Sequence, residues 1–193
     1  MVLGGMLPFH ATLTTQISSV GFADGTEVDL YGGYKGQITK DLAYDVGVLQ
    51  YWYRETAANT TELYAAISYA FLTLKYSGTV SKDYFAFGKA AFDNAGGALA
   101  STPKGRGTGY LDLAANYEVV KGVTLNGHVG YTRLSSDLRN DAGYESYMDY
   151  KLGATYDLGN GFSAAGAFVG ANKKNFYGDL NKGRVIVSIT KAM

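Results

Sequence analysis

Polarity alternates residue by residue along most of this chain, and the alternating runs reverse in pairs at short turns marked by Gly, Asn or Lys. From Val28 the even positions read Val28, Leu30, Gly32, Tyr34, Gly36 and Ile38, while the odd ones read Glu27, Asp29, Tyr31, Gly33, Lys35 and Gln37. Successive side chains of a strand point to opposite faces, so one face of this segment is apolar and the other carries charge. A soluble sandwich also alternates, but its polar face is dense in Lys and Glu. Here the polar face is thinly charged and rich in Gly, Ser, Thr, Asn and Tyr. That balance points to an all-β fold, a transmembrane antiparallel up-and-down barrel with its apolar face toward lipid and its polar face lining a lumen.

Composition supports the same class. At 193 residues the chain is expected to be one outer-membrane barrel domain. Lys plus Arg equals Asp plus Glu, 17 each, so no net field draws it to nucleic acid. Charged residues make up only 18%, against 17 Tyr and 26 Gly. Tyr suits strands and membrane interfaces, and Gly suits curved strands. Cysteine is absent, which excludes disulfide, thiolate-ligand and Cys-nucleophile chemistry. No run approaches 18 apolar residues, so no transmembrane helix is expected. The opening MVLGGMLPFH lacks a charged n-region and a cleavage site. The expectation is that a leader has been removed already, or that the chain begins inside a longer protein.

Ten strands are expected, near 9–19, 26–39, 42–53, 61–71, 72–81, 108–119, 123–134, 146–158, 162–171 and 183–192. Tight connections fall at Thr39-Lys40-Asp41, Ala70-Phe71, Val120-Lys121-Gly122 and Gly159-Asn160-Gly161. Longer ones cover 20–25, 54–60, 82–107, 135–145 and 172–182. Short turns on one rim and long loops on the other is the arrangement of bacterial outer-membrane barrels. The ninth strand has the weakest pattern, because both faces of Ser163 to Ala171 are small or apolar.

Strand parity then assigns the side chains. Beside the short turns the lipid-facing aromatics are Phe9, Tyr44, Tyr69, Phe71, Tyr117, Tyr156 and Phe162, and at the other end Trp52, Tyr131, Tyr150 and Phe168. Between them lie Leu30, Val46, Val48, Leu63, Leu74, Leu113, Leu125, Val129 and Leu152. Two aromatic belts flanking an aliphatic band is what a bilayer selects. The opposite parity lines the lumen with Glu27, Asp29, Lys35, Asp45, Glu62, Lys75, Asp112, Glu118, His128, Asp149 and Lys151. Acids outnumber lysines there, so an open pore should favour cations. In a narrow barrel the same charges could pair across the lumen as a plug, helped by Tyr31, Tyr64, Tyr110 and Tyr147.

Several runs resemble one family. They are Asp29-Leu-Tyr-Gly-Gly-Tyr34, Tyr44-Asp-Val-Gly-Val48, Thr61-Glu-Leu-Tyr64, Leu72-Thr-Leu-Lys-Tyr-Ser77, Gly127-His-Val-Gly-Tyr131, Tyr150-Lys-Leu-Gly-Ala154 and Asp157-Leu-Gly. In order and spacing, from about Phe9 to the C-terminus, they are similar to the TorF-type porins of Gram-negative bacteria. The resemblance implies an outer-membrane barrel of undefined solute range without assigned catalytic residues. Members of that family also carry a signal peptide and further N-terminal strand-forming sequence, which has no counterpart here. The strand number is then ten, or about twelve with an N-terminal portion missing.

Catalysis and metal binding find little in the sequence. His10 and His128 are the only histidines, and His128 falls mid-strand without a recognisable nucleophile partner. Two separated histidines and no cysteine make no transition-metal site. Gly105-Arg-Gly-Thr-Gly109 lacks the phosphate-loop Lys-Ser/Thr, and Asn59-Thr60-Thr61 is a chance sequon. The 82–107 connection is either a surface loop or a segment folded over the mouth, bringing Lys104 and Arg106 near the acidic lumen. Expected partners are outer-membrane lipid, small solutes or ions, and the barrel-assembly machinery, with no nucleic acid and no cofactor. The expectation is a small passive channel, not an enzyme; the alternative is a closed structural or adhesive barrel binding partners through its loops.

Overall fold

Val, Ile, Tyr and Thr fill the alternating runs, and such residues pack well on a pleated surface. In a computed structural model of the chain, which describes residues 9–17, 26–54 and 56–192, every one of these runs is a strand. The strands are β1 (Phe9–Ile17), β2 (Thr26–Gln37), β3 (Leu42–Tyr53), β4 (Thr60–Tyr69), β5 (Leu72–Thr79), β6 (Gly109–Val120), β7 (Val123–Arg133), β8 (Tyr147–Gly159), β9 (Phe162–Ala171) and β10 (Arg184–Lys191). They form one antiparallel sheet in strict sequence order, with each strand paired to the next. The fold is all-β and up-and-down. Among the described residues β1 and β10 are its two edges. The leader question and the 20–25 connection fall outside the described residues.

The sheet curls strongly. Tyr51 on β3 and Glu62 on β4 line the same cavity as Val169 on β9 and Arg184 on β10. The tight turns use the backbone their residues allow. Gly122 and Gly161 take φ of 82° and 79°, a region that costs glycine nothing. Ala70 and Asn160 enter the same region at 51°. Register shifts on β6 after Glu118 and on β8 after Asp157 sit just before the turns, where bulges bend strands.

Side chains of opposite parity meet different surroundings. On the convex face Leu63, Leu113, Val129 and Leu152 are exposed, as are Val185, Val187 and Ile189 of β10. The buried apolar residues among those described, Ala58, Ala86, Leu134, Leu138 and Ala171, all lie at the end carrying the long connections. The wall thus has no apolar core of its own. Most of its large apolar side chains face outward, and the buried apolar residues described form a cap at one end.

That cap is built from helical turns in the connections. The 80–108 connection holds α1 (Phe87–Asn94), and the 134–146 connection holds α2 (Ser136–Asn140). The 172–183 connection holds α3 (Lys174–Tyr177). Ser135 caps α2 by accepting from Leu138 N at 3.2 Å, and it donates to Lys104 O at 2.6 Å. One hydroxyl therefore joins two connections.

Candidate functional site

The concave face carries the charged side chains of β2 to β8, and glycine lets tyrosines lie flat against it. A Cβ on Gly47 would stand 2.4 Å from Gly32 O and 2.7 Å from the Tyr64 hydroxyl. A Cβ on Gly130 would stand 2.0 Å from the Tyr110 hydroxyl. These glycines are required by close approach, not by a turn. Each tyrosine then reaches a carboxylate: Tyr64 donates to Asp45 Oδ1 at 3.1 Å and Tyr110 to Asp149 Oδ1 at 3.0 Å.

Two charged clusters result. In the first, Lys75 Nζ lies over the Tyr64 ring, 4.6 Å from its centroid, a cation–π arrangement. Asp29, Tyr31, Asp45, Tyr64 and Lys75 share a cavity of about 500 Å³. In the second, His128 Nδ1 donates to Asp112 Oδ1 at 2.8 Å, and Nε2 stands 3.7 Å from Asp149 Oδ1. Tyr110, Asp112, His128 and Lys151 line a cavity of about 300 Å³. An imidazole held between two carboxylates is a satisfied polar group, and no hydroxyl or thiol nucleophile is bonded to it. Among the described residues no group of His, Asp and Glu is arranged to hold a metal ion.

At the long-connection end the largest of these cavities, about 520 Å³, is lined in part by aromatic rings. Phe85 packs edge-on against Tyr51 at 4.9 Å and Tyr84 against Phe87 at 5.5 Å. Phe87 meets Tyr144 at 5.0 Å, Tyr144 meets Phe176 at 6.2 Å, and Tyr147 meets Tyr177 at 5.4 Å. The chain of rings crosses from β3 to β8 through the 80–108, 134–146 and 172–183 connections. Burial pushes the Tyr84 hydroxyl well above the ordinary tyrosine range, with Tyr147 and Glu62 adding to it. Burial likewise pushes Tyr177 up to about 12 and raises Tyr144.

The residues expected to face inward share the concave parity. Glu27 accepts from the Tyr53 hydroxyl, Asp29 is buried, and Glu62 lines the mouth cavity with Tyr51. Lys35 and Lys151 are exposed, and Lys151 stands opposite His128. Glu118 is exposed at the short-turn rim, where it accepts from Gly122 N at 2.8 Å and steadies a turn. Of the outward aromatics, Tyr69, Phe71, Tyr117, Tyr156 and Phe162 are exposed at the short-turn end, and Tyr44 is half-buried. Trp52, Tyr131, Tyr150 and Phe168 are exposed at the opposite end. Phe9 stands opposite Tyr34 in register, and its side chain lies outside the described residues.

The 82–107 connection does fold into the mouth, but through Tyr84 and Phe85 and not through its bases. Lys104 and Arg106 are exposed, and Lys104 is held by its backbone, its N–H donating to Asp137 Oδ2 at 3.3 Å and its carbonyl accepting from Ser135 Oγ at 2.6 Å. Sequence reasoning assigned no role to these mouth aromatics. Their signal was the density of rings in Asp83-Tyr-Phe-Ala-Phe87, unusual for a solvated loop.

The profile of a bacterial protein family of unknown function, Gcw_chp, matches residues 9–192. No curated protein matches the chain. Among solved structures it is similar to a porin, at 17% identity and TM-score 0.49, over 95% of this chain and 58% of that one. It is also similar to the outer membrane protein OprD from Pseudomonas aeruginosa, at 18% identity and TM-score 0.42, over 94% of this chain and 56% of that one. The chain thus spans less than two thirds of the length of either.

Proposed function

The chain belongs to the Gcw_chp family of bacterial proteins, and we propose that it is an outer-membrane β-barrel that passes small solutes passively through a net-acidic, weakly cation-favouring lumen. One observation carries this reading. The exposed convex face is aliphatic at mid-height and aromatic at both ends, while the concave face holds the carboxylates, lysines and His128. In water so much contiguous exposed apolar surface would drive association, and in a bilayer it is the stabilising contact. The likeness of its strand motifs to TorF-type porins belongs to the same reading. So do export to the bacterial outer membrane and insertion by the barrel-assembly machinery.

An even number of antiparallel strands suits closure between β1 and β10, or through further strands joined to them. Either way every backbone group in the lipid gains a partner, which an open edge would not allow. No catalytic role is assigned to any residue. The Asp112–His128 pair is a hydrogen-bonded polar element of the lumen wall.

A second reading has its own observation. The ring chain from Tyr51 to Tyr147 covers the mouth, which suits a closed barrel binding partners through its connections. Refolding the chain into detergent and measuring conductance in planar bilayers separates the two. Steady ohmic current supports the channel. A folded, heat-modifiable protein that passes no current overturns it in favour of the closed barrel.

A further inference from the structure

The charged concave residues are not scattered. Lys35 stands opposite Asp45 on the next strand, Asp45 opposite Ala66, and Ala66 opposite Lys75. The same line continues from Lys75 to Asp112, from Asp112 to Gly130, and from Gly130 to Asp149. One line of strand pairing therefore carries lysine, aspartate, lysine, aspartate and aspartate, separated only by Ala66 and Gly130. The small residues leave room for ring faces beside the charges, as Tyr110 against Gly130 makes plain.

This line is inclined. Lys35 sits beside the 39–41 turn on one rim, and Asp149 sits beside the 134–146 connection on the other. Strands of a membrane barrel lean about 35–45° from its axis, so a line perpendicular to them winds along the wall. The charges form steps from rim to rim, not a ring at one height.

At the middle step the occupant belongs to the protein. Lys75 Nζ rests on the face of Tyr64, whose hydroxyl is bonded to Asp45, and Asp112 stands opposite it in register. An aromatic face flanked by carboxylates is a receptor for an ammonium group. We propose that Lys75 is a tethered cation filling the central step of an inclined track, that solutes carrying a primary ammonium use the other steps, and that Lys75 sets the track's selectivity. The inference rests on the channel reading and names the solute class for the same lumen. Lys75 repels a cation arriving from Asp112 and hands the Tyr64 face over only when its flexible side chain swings aside.

The test uses the refolded full chain in planar bilayers, with potassium chloride gradients and with methylammonium chloride replacing potassium chloride on one side. Lys75→Gln should raise the potassium-to-chloride permeability ratio about two- to threefold and raise methylammonium relative to potassium. Lys75→Arg should keep the wild-type ratios. Lys151→Gln removes the same charge from the concave face one step off the line, and should shift the ratios less. Asp112→Asn should move selectivity the other way, and it serves as the deciding variant if Lys75→Gln fails to give a heat-modifiable band. A wild type without current overturns the channel reading itself. A conducting wild type in which Lys75→Gln and Lys151→Gln act alike, or in which Asp112→Asn changes nothing, overturns only the track.

Discussion

Phe85 stands edge-on against Tyr51, ring centroids 4.9 Å apart, and so fastens the 80–108 connection to the inside of β3. The fastening is doubled at the backbone, where Phe85 N donates at 2.9 Å to the hydroxyl of the fully buried Thr60. Phe85 and Ala86 both take left-handed φ, 44° and 62°. A non-glycine pair in that region is held there by surrounding contacts. The connection is therefore a docked plug with a preferred geometry.

Removing the plug's anchor should open the mouth without unfolding the wall. Phe85→Ala should cost the docked connection roughly 2–3 kcal/mol, below the range for a fully buried ring because Phe85 is only half-buried. Single-channel conductance should rise while heat-modifiable migration stays. Deleting residues 88–103 should preserve folding too, but raise conductance less, since Tyr84 and Phe85 remain. Loss of folding in either variant would make the cap part of the wall's folding unit.

The two parities should differ in their tolerance of charge. Leu113→Arg or Val129→Arg points a guanidinium toward lipid near mid-depth and should cost roughly 2–4 kcal/mol. Ala114→Arg points into the cavity beside Asp112 and His128 and should cost less. Gly33 is unsuitable as an inward comparison, because a Cβ there would meet Val46 O at 2.4 Å. Refolding titrations into liposomes decide the matter, and equal costs on both faces would remove the membrane assignment.

Alkaline pH should loosen the cap before the wall. Tyr177 titrates at about 12 in the fold against an ordinary 10.0, chiefly through burial. An acid whose folded pKa is raised binds its proton longer in the folded state, so its contribution is whole below pH 10.0 and is lost as pH rises toward about 12. Tyr84 and Tyr144 act in the same direction. Near-ultraviolet dichroism should therefore fall between those limits while far-ultraviolet strand signal persists. Tyr177→Phe should shrink the effect. Coincident loss of both signals would show that cap and wall melt together.

What could be read from the residues followed the physics of each element. Period-two alternation is set by the pleat itself, so β2 through β8 appeared with their faces already assigned. β9 showed little alternation, since Ala164, Gly166, Ala165 and Ala167 are small on both faces, yet pairing on both sides holds it as a strand. The helical turns of the cap were not foreseen. α1 is entered from Ala86 in a left-handed conformation with no side-chain cap, leaving no local signal. α2 did carry one, in Ser135 as its N-cap. Inward parity was legible for Glu118, but not the bond it makes to Gly122 N, which ties the strand end to the turn that follows. The inclined track needed register, and register is not contained in any single strand's pattern.

The last expectation concerns the sign and reach of the lumen's field. Asp29, Asp45 and Asp112 lie on the concave wall, with Asp29 buried and Asp45 and Asp112 half-buried. Asp93 lies exposed on α1 and is already bonded to Lys89. Changing the three wall acids together to Asn should move the reversal potential toward anions, and changing Asp93 should move it little. Screening shortens the field from about 30 Å at 0.01 M salt to about 3 Å at 1 M, so the wild-type cation preference should fade as salt rises. Lys182 and Arg184 line the mouth cavity and oppose the wall acids there, although Lys182 is paired to Asp179 at 2.6 Å. Reversal potentials across potassium chloride gradients at both salt levels give the answer. An anion-selective wild type would mean that the mouth bases dominate the wall. A preference that persisted unchanged at 1 M would instead mean that selectivity is set by direct contact at a constriction, with the Tyr64–Lys75 step the first place to look.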